Sequence, residues 1–330
     1  MARVILHIGA HKTGTSFLQR CLFQNRALLE RHQICYPDIG PNPAHHILAA
    51  PWIDLPEVPA SWFAQGGADG IWDRLTRDYC HRPGTVFLSA EVFSRAELQR
   101  VDMAQLRDRL APFEQVRILY TTRLQPALLQ SVWLQRARSG KAPPFEQFLN
   151  HALESHLASG IWLDHGQLYS HLRTGFSPEQ ITFLSYEALC AAPGGILAGF
   201  LAQMGCSLLP EQLSKVPDGG ANISPNPLAA WIAWNIFGPA PLPAAGVSSI
   251  SEAMNSGAPA PVTLYSRAEY VQVARIFTPL NHALDGRLQQ TQPGFSTGNI
   301  PDSSALKFRE DLSLRHWGNI VSAIYQRRHC

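Results

Sequence analysis

The chain has 330 residues, 45% of them hydrophobic and 16% charged, and its 27 Lys plus Arg against 25 Asp plus Glu leave a formal net charge of +2. That composition excludes a disordered chain, allows a large buried core, and gives no reason to expect nucleic acid or another polyanion as partner. The N-terminus passes at once into an apolar run with no secretory pattern, and the most apolar window, residues 228–246, is broken by Asn235 and three prolines. A cytoplasmic protein with no transmembrane segment is expected. Six widely spaced cysteines with no C-x-x-C pair read as reduced thiols.

In chain order, the first element is a strand over residues 3–8 (RVILHI), unalternated as in a strand buried on both faces. It runs into Gly9, a loop with His11, Lys12, Thr13 and Gly14, and then Thr15 and Ser16 opening a helix predicted over residues 16–32. Glycines let the backbone wrap closely and a helix start adds positive potential, so this segment is an anion cradle. Gly9 and Gly14 have the spacing of a nucleotide-triphosphate loop, but Thr15 stands where that loop has its lysine, and Lys12 comes two residues before Gly14.

A weaker strand follows at 34–36, then a turn, GPNPAHH, whose His45 and His46 could face a substrate. The strand at 85–90 ends beside Glu91, a carboxylate at the edge where α/β sheets bind ligands. A helix is predicted over 97–110 and a strand over 116–121, which ends near Arg123. Pro126 then suits the first turn of a helix over 126–138 that carries Ser131. Helices over 145–157 and 196–204 flank a strand at 181–185, and beyond Pro210 the strand signal fades. What remains is a Pro/Gly/Ala/Ser-rich stretch from 238 to 261 and helices over 267–288 and 309–326. Alternating strands and helices predict an α/β fold, three-layered around a central parallel sheet, with a mostly helical C-terminal third. One domain spanning residues 1–330 is the simplest organisation, with 1–210 as the core and 211–330 as an acceptor or lid portion.

No histidine spacing matches a metal site, so no metal is expected. The G-x-S-x-G at residues 294–298 lacks the flanking strand and helix of a hydrolase elbow.

The K-T-G-T-S loop after a first strand resembles the 5′-phosphosulfate loop of sulfotransferases that use 3′-phosphoadenosine 5′-phosphosulfate (PAPS). Arg123 and Ser131, eight residues apart, resemble that family's arginine and serine at the donor's 3′-phosphate. Residues 181–206 are similar to its strand, Tyr-Glu-x-Leu turn and long helix, and FREDLSLRHW at 308–317 is similar to a helix of bacterial and carbohydrate-directed members.

The resemblance implies a P-loop-type sulfotransferase that moves a sulfuryl group from PAPS to an acceptor hydroxyl, a carbohydrate in the first instance, and releases PAP. A lipid or small aromatic acceptor, a nucleotide-dependent kinase and a non-catalytic nucleotide-binding module are the alternatives. Lys12 would assist the bridging oxygen, with Thr13, Gly14, Thr15 and Ser16 at the 5′-phosphate through backbone and hydroxyl donors and His11 as a further phosphate or sulfate contact. Arg123 and Ser131 would hold the 3′-phosphate, and Asn222 and Ser224 would add donor contacts. Glu91 is the candidate base, with His45 as a second candidate. Acceptor identity and oligomeric state stay open.

Overall fold

The structure, a computed structural model, describes residues 1–216, 225–238, 240–254 and 261–328. It divides into two compact units. One comprises Met1–Arg123, Gly160–Pro217 and Leu280–Gly298; the other comprises Leu124–Ser159, Asp218–Pro279 and Asn299–Cys330.

The first unit is built on a five-stranded parallel sheet. Its strands are β1 (Arg3–His7), β2 (Ile34–Cys35), β3 (Thr85–Ser89), β4 (Gln115–Thr122) and β5 (Ile181–Ser185), in spatial order β2, β3, β1, β4, β5. The register aligns Leu6 with Leu88 on one side and with Ile118 on the other, and Thr122 with Ser185. Because every strand runs the same way, the C-terminal ends of β1, β3 and β4 share one edge. That edge gathers the loop after His7, the turn at Glu91, and Arg123.

Helices of this unit are α1 (Thr15–Gln24), α2 (Arg26–Arg31), α3 (Gly67–Tyr79) and α4 (Met103–Leu110). Alternate residues of one strand serve the two faces. Leu119 joins Ile5, Phe87, Leu18, Leu22 and Phe200 in one buried cluster. Its neighbour Tyr120 packs instead against His165 and Phe183, at ring separations of 5.8 and 5.3 Å. The sheet is therefore covered on both faces, as its unalternated strands predict.

The second unit holds α5 (Gln125–Arg138) and α6 (Phe145–Ser155). The chain returns to the first unit for α7 (His165–Leu172), α8 (Tyr186–Ala191) and α9 (Gly195–Met204), and α10 (Pro227–Phe237) and α11 (Ala244–Met254) again lie in the second; α12 (Arg267–Leu288) and α13 (Leu314–Arg328) follow. An aromatic cluster fills the second unit. Trp133 is fully buried, its indole N–H donating to the Pro143 carbonyl at 2.9 Å, and its ring meets Phe145 at 5.7 Å and Trp234 at 6.1 Å.

Several elements differ from the sequence expectation, each for a local reason. The helix predicted over 16–32 breaks at Asn25, whose amide donates to the Cys21 carbonyl and accepts from the Ser214 N–H. The helix predicted from 97 starts at Met103 because the Asp102 carboxylate caps the N–H groups of Ala104 and Gln105. The segment predicted as helix from 309 opens with a 3-10 turn, Arg309–Asp311, and α13 begins only at Leu314. The Pro/Gly-rich stretch contains α11, whose Val247, Ile250 and Met254 are buried at helical spacing among small residues that mask the pattern. Two glycines in its first turn hid α3 in the same way, although Ile71, Trp72 and Leu75 form its buried stripe.

Candidate functional site

The site starts from the loop between β1 and α1. Gly9 has φ +100°, and a Cβ there would stand 2.8 Å from the Glu91 Cβ, so only glycine lets the two strand ends meet this closely. Lys12 and Gly14 are also left-handed, at φ 67° and 76°. Gly14 is the residue before α1, and no side chain caps the helix there. The first-turn N–H groups of a helix have no intrahelical acceptors, so an uncapped start beside a lysine is suited to an anion.

Two expected hydroxyl contacts are otherwise engaged. The Thr13 hydroxyl donates to the Ala10 carbonyl at 2.6 Å and shapes the loop, while the Thr15 hydroxyl donates to Glu91 Oε1 at 3.1 Å. Their backbone N–H groups are what the loop presents, together with the exposed Ser16.

Arg123 follows β4 directly. Its Nη1 donates to the Lys12 carbonyl, and its guanidinium lies over the Tyr186 ring at 4.9 Å. Its Nε is buried with no acceptor among the described residues. A buried unsatisfied guanidinium N–H is costly, and an anion at this strand end would satisfy it.

Glu91 opens a 3-10 turn, Glu91–Ser94, and is buried. Its Oε2 accepts from Gln19 Nε2 at 2.7 Å and from His46 Nε2 at 3.1 Å, and His11 Nδ1 stands 4.0 Å from Oε1. Burial alone would raise its pKa. The hydrogen bond from His46, the neighbouring His46 and His11 imidazoles and the backbone N–H outweigh burial and hold the carboxyl well below the ordinary carboxylate range. Glu91 is therefore ionised at neutral pH.

A family model described as Sulfotransferase domain matches residues 3–218. The chain belongs to the sulfotransferase family. Solved structures similar to it include a sulfotransferase from Alicyclobacillus acidocaldarius, 15% identical, covering 86% of this chain and 95% of that one with a TM-score of 0.46. Another is the sulfotransferase domain from the curacin biosynthetic pathway, 14% identical, covering 85% and 98% with a TM-score of 0.43. A comparison with curated proteins finds no match.

In this sulfotransferase the residues singled out in the sequence are distributed as follows. His11, Lys12, Thr13, Gly14, Thr15, Ser16, Glu91 and Arg123 all lie in the first unit, on the loop after β1, in the first turn of α1 and at the ends of β3 and β4. Ser131 is buried on α5 in the second unit. Asn222 and Ser224 lie outside the described residues.

His45 does not face the site. Its Nδ1 accepts the Ser89 N–H at 2.9 Å, so its Nε2 carries the proton that is donated to the Pro37 carbonyl at 2.8 Å. Burial lowers its pKa to about 4, and the ring serves as a neutral brace between β3 and the turn after β2. His46 is the member of the pair that reaches Glu91. Residues not singled out from sequence are Gln19, Tyr186 as a ring beneath Arg123, and His7 with Ser89. The signal for Gln19 was available: Thr15 and Gln19, four apart, share one buried face of α1.

The G-x-S-x-G segment is irregular, and the Ser296 hydroxyl donates to Asp285 at 3.2 Å. Among the described residues no group of three or more His, Cys, Asp or Glu could hold a metal, and no helix is long and apolar enough to cross a membrane.

Proposed function

We propose that this sulfotransferase takes its sulfuryl group from PAPS and passes it to an acceptor hydroxyl, releasing PAP. The observation that carries the reading is Arg123: it anchors the Lys12 carbonyl of the loop while its buried Nε lacks an acceptor. A planar guanidinium suits a phosphate, and Arg123 is assigned to the donor's 3′-phosphate.

The N–H groups of Thr13, Gly14, Thr15 and Ser16 at the uncapped start of α1 are assigned to the 5′-phosphate. Lys12 is assigned to the bridging oxygen on which charge develops as the S–O bond breaks. His11, whose Nε2 is also buried without a partner among the described residues, is a further donor contact. Sulfuryl transfer is an in-line displacement, so positioning and charge stabilisation carry the rate. The acceptor's proton goes to the group formed by Glu91 and His46.

A carbohydrate is the proposed acceptor, supported by the likeness of residues 308–317 to carbohydrate-directed members. The chain is read as one sulfotransferase domain, with residues 211–330 as its acceptor or lid portion. A cytoplasmic setting accords with the free thiols of Cys21, Cys35, Cys80, Cys190 and Cys206. The test is incubation with PAPS and a panel of mono- and oligosaccharides without added metal, with PAP and sulfated product followed by mass spectrometry. PAP formed together with a sulfated sugar is the expected result. Phosphorylated product from ATP and Mg²⁺, with PAPS left intact, would refute the reading.

A further inference from the structure

We propose that His46, acting through Nδ1, is the base that takes the acceptor's proton, and that Glu91 orients it without becoming protonated. The inference rests on the sulfotransferase reading above and names the proton acceptor within that site.

The directions of the hydrogen bonds decide between the two groups. An ionised carboxylate only accepts, so the 3.1 Å contact with Glu91 fixes the proton of His46 on Nε2 and leaves the lone pair on Nδ1. Nδ1 has no partner among the described residues, and the His46 side chain is 27% exposed against 9% for Glu91. The imidazole can be reached by an acceptor, whereas the carboxylate lies behind it.

The carboxylate is also fully occupied. Oε1 takes the Thr15 hydroxyl, and Oε2 takes Gln19 and His46. Placing a proton on Glu91 would break one of these bonds and strand a buried donor. A chain of fixed donors stands behind this arrangement. Gln19 Nε2 also donates to Ser89 Oγ at 3.2 Å, so the Ser89 hydroxyl turns its own proton to His7 Nδ1 at 2.9 Å. His7 is fully buried and its pKa is lowered to about 4 chiefly by burial, so it stays neutral and keeps accepting. Every link from His7 to His46 is thereby satisfied in one direction only.

The neighbouring imidazoles cannot substitute. Both nitrogens of His45 are bonded to backbone, and the His11 pKa is lowered to about 4, mainly by burial. The titratable and charged groups around His46 are Glu91, His11 and His45, with Lys12 and Arg95 acting on His11.

In the step itself the acceptor oxygen forms its bond to sulfur. The bond from sulfur to the bridging oxygen breaks, and its electron pair stays with PAP. The hydroxyl proton passes to Nδ1, giving an imidazolium whose Nε2–H remains on the Glu91 carboxylate, and is later lost to water. This is the division of labour of a carboxylate-oriented imidazole base.

The test uses His46→Gln, which keeps a donor for Oε2 and cannot act as a base, beside His46→Ala. PAPS turnover is counted as PAP formed across pH, with N-acetylglucosamine and p-nitrophenol offered as acceptors and water always present. The expected result is a rate about 10²- to 10⁴-fold lower and loss of the wild-type ascending limb, with PAP affinity by calorimetry and the melting temperature retained. Independently of any acceptor, ¹⁵N-histidine NMR of the wild type is expected to show His46 as the Nε2–H tautomer.

A His46→Gln rate within about threefold of wild type, a retained limb, or a proton on Nδ1 would each overturn the proposal; the first two thresholds are set by the size expected of general-base catalysis. Failure of the wild type to bind PAP would refute the donor reading instead, and the tautomer would still decide the pairing of His46 with Glu91.

Discussion

Lowering the pH from 7 to 5 is expected to destabilise this protein by at least about 5 kcal/mol, chiefly through three imidazoles. His7, His11 and His45 titrate near 6.5 in an unfolded chain and at about 4 in the fold, burial being the leading cause for each. Between those values the unfolded chain holds more protons than the folded one, so acid favours unfolding. The stabilisation is complete above about pH 6.5 and is lost as the pH falls toward 4. For one such imidazole the difference between pH 7 and pH 5 comes to just under ~2 kcal/mol.

Glu91 adds to the loss only at lower pH. Burial raises its pKa, but the His46 and His11 interactions dominate and hold it low, so its share is present above the ordinary carboxylate range and lost on descending through it. The assay is urea unfolding at pH 7, 6 and 5, followed by intrinsic fluorescence. His45→Gln should reduce the pH dependence by its own share of just under ~2 kcal/mol, the remainder staying with His7, His11 and with His165 and His171, which burial also holds below the ordinary imidazole range. Stability that is flat or rising from pH 7 to pH 5 would refute the argument, because neutral buried imidazoles would then not be part of the fold.

Three further outcomes follow from named contacts. Gly9→Ala places a Cβ 2.8 Å from the Glu91 Cβ at a φ of +100°, so it should cost more than ~1 kcal/mol and reduce PAPS turnover at least about tenfold; both are read by urea midpoint and PAP release. Gln19→Leu removes the donor to Glu91 Oε2 and Ser89, at a cost of about 1 to 3 kcal/mol in the same unfolding assay. Trp133→Ala empties the centre of the aromatic cluster in the second unit, and a loss of about 3 to 5 kcal/mol is expected from thermal unfolding.

The sheet was legible because its strands are short, continuous apolar runs, and β5 coincides with its expected span, 181–185. The loop was legible because Gly9, Lys12, Gly14 and Ser16 carry their chemistry in local spacing. Glu91 followed from standing at a strand end, where a parallel sheet gathers ligand-binding groups, and Arg123 followed from its resemblance, with Ser131, to the family's 3′-phosphate pair. The choice between His45 and His46 was not legible. The two are neighbours, and what separates them is tertiary: the Ser89 N–H and the Pro37 carbonyl engage one ring, and Glu91 engages the next. The Thr13 and Thr15 hydroxyls were misdirected for the same reason, since their acceptors are a loop carbonyl and a carboxylate 76 residues away. Helices α3 and α11 were missed where glycine and small residues diluted the periodicity on which helix prediction depends.

The central claim is that the loop after β1 and Arg123 form a site for the donor's phosphates. Calorimetric titration with PAP in the absence of metal, on the wild type and on Arg123→Ala and Lys12→Ala, tests it most directly. Metal-independent binding that weakens at least about tenfold in Arg123→Ala is expected, the loss that follows when a charged hydrogen-bond donor to phosphate is removed. No PAP binding by the wild type, or equal affinity in the Arg123 variant, would contradict it.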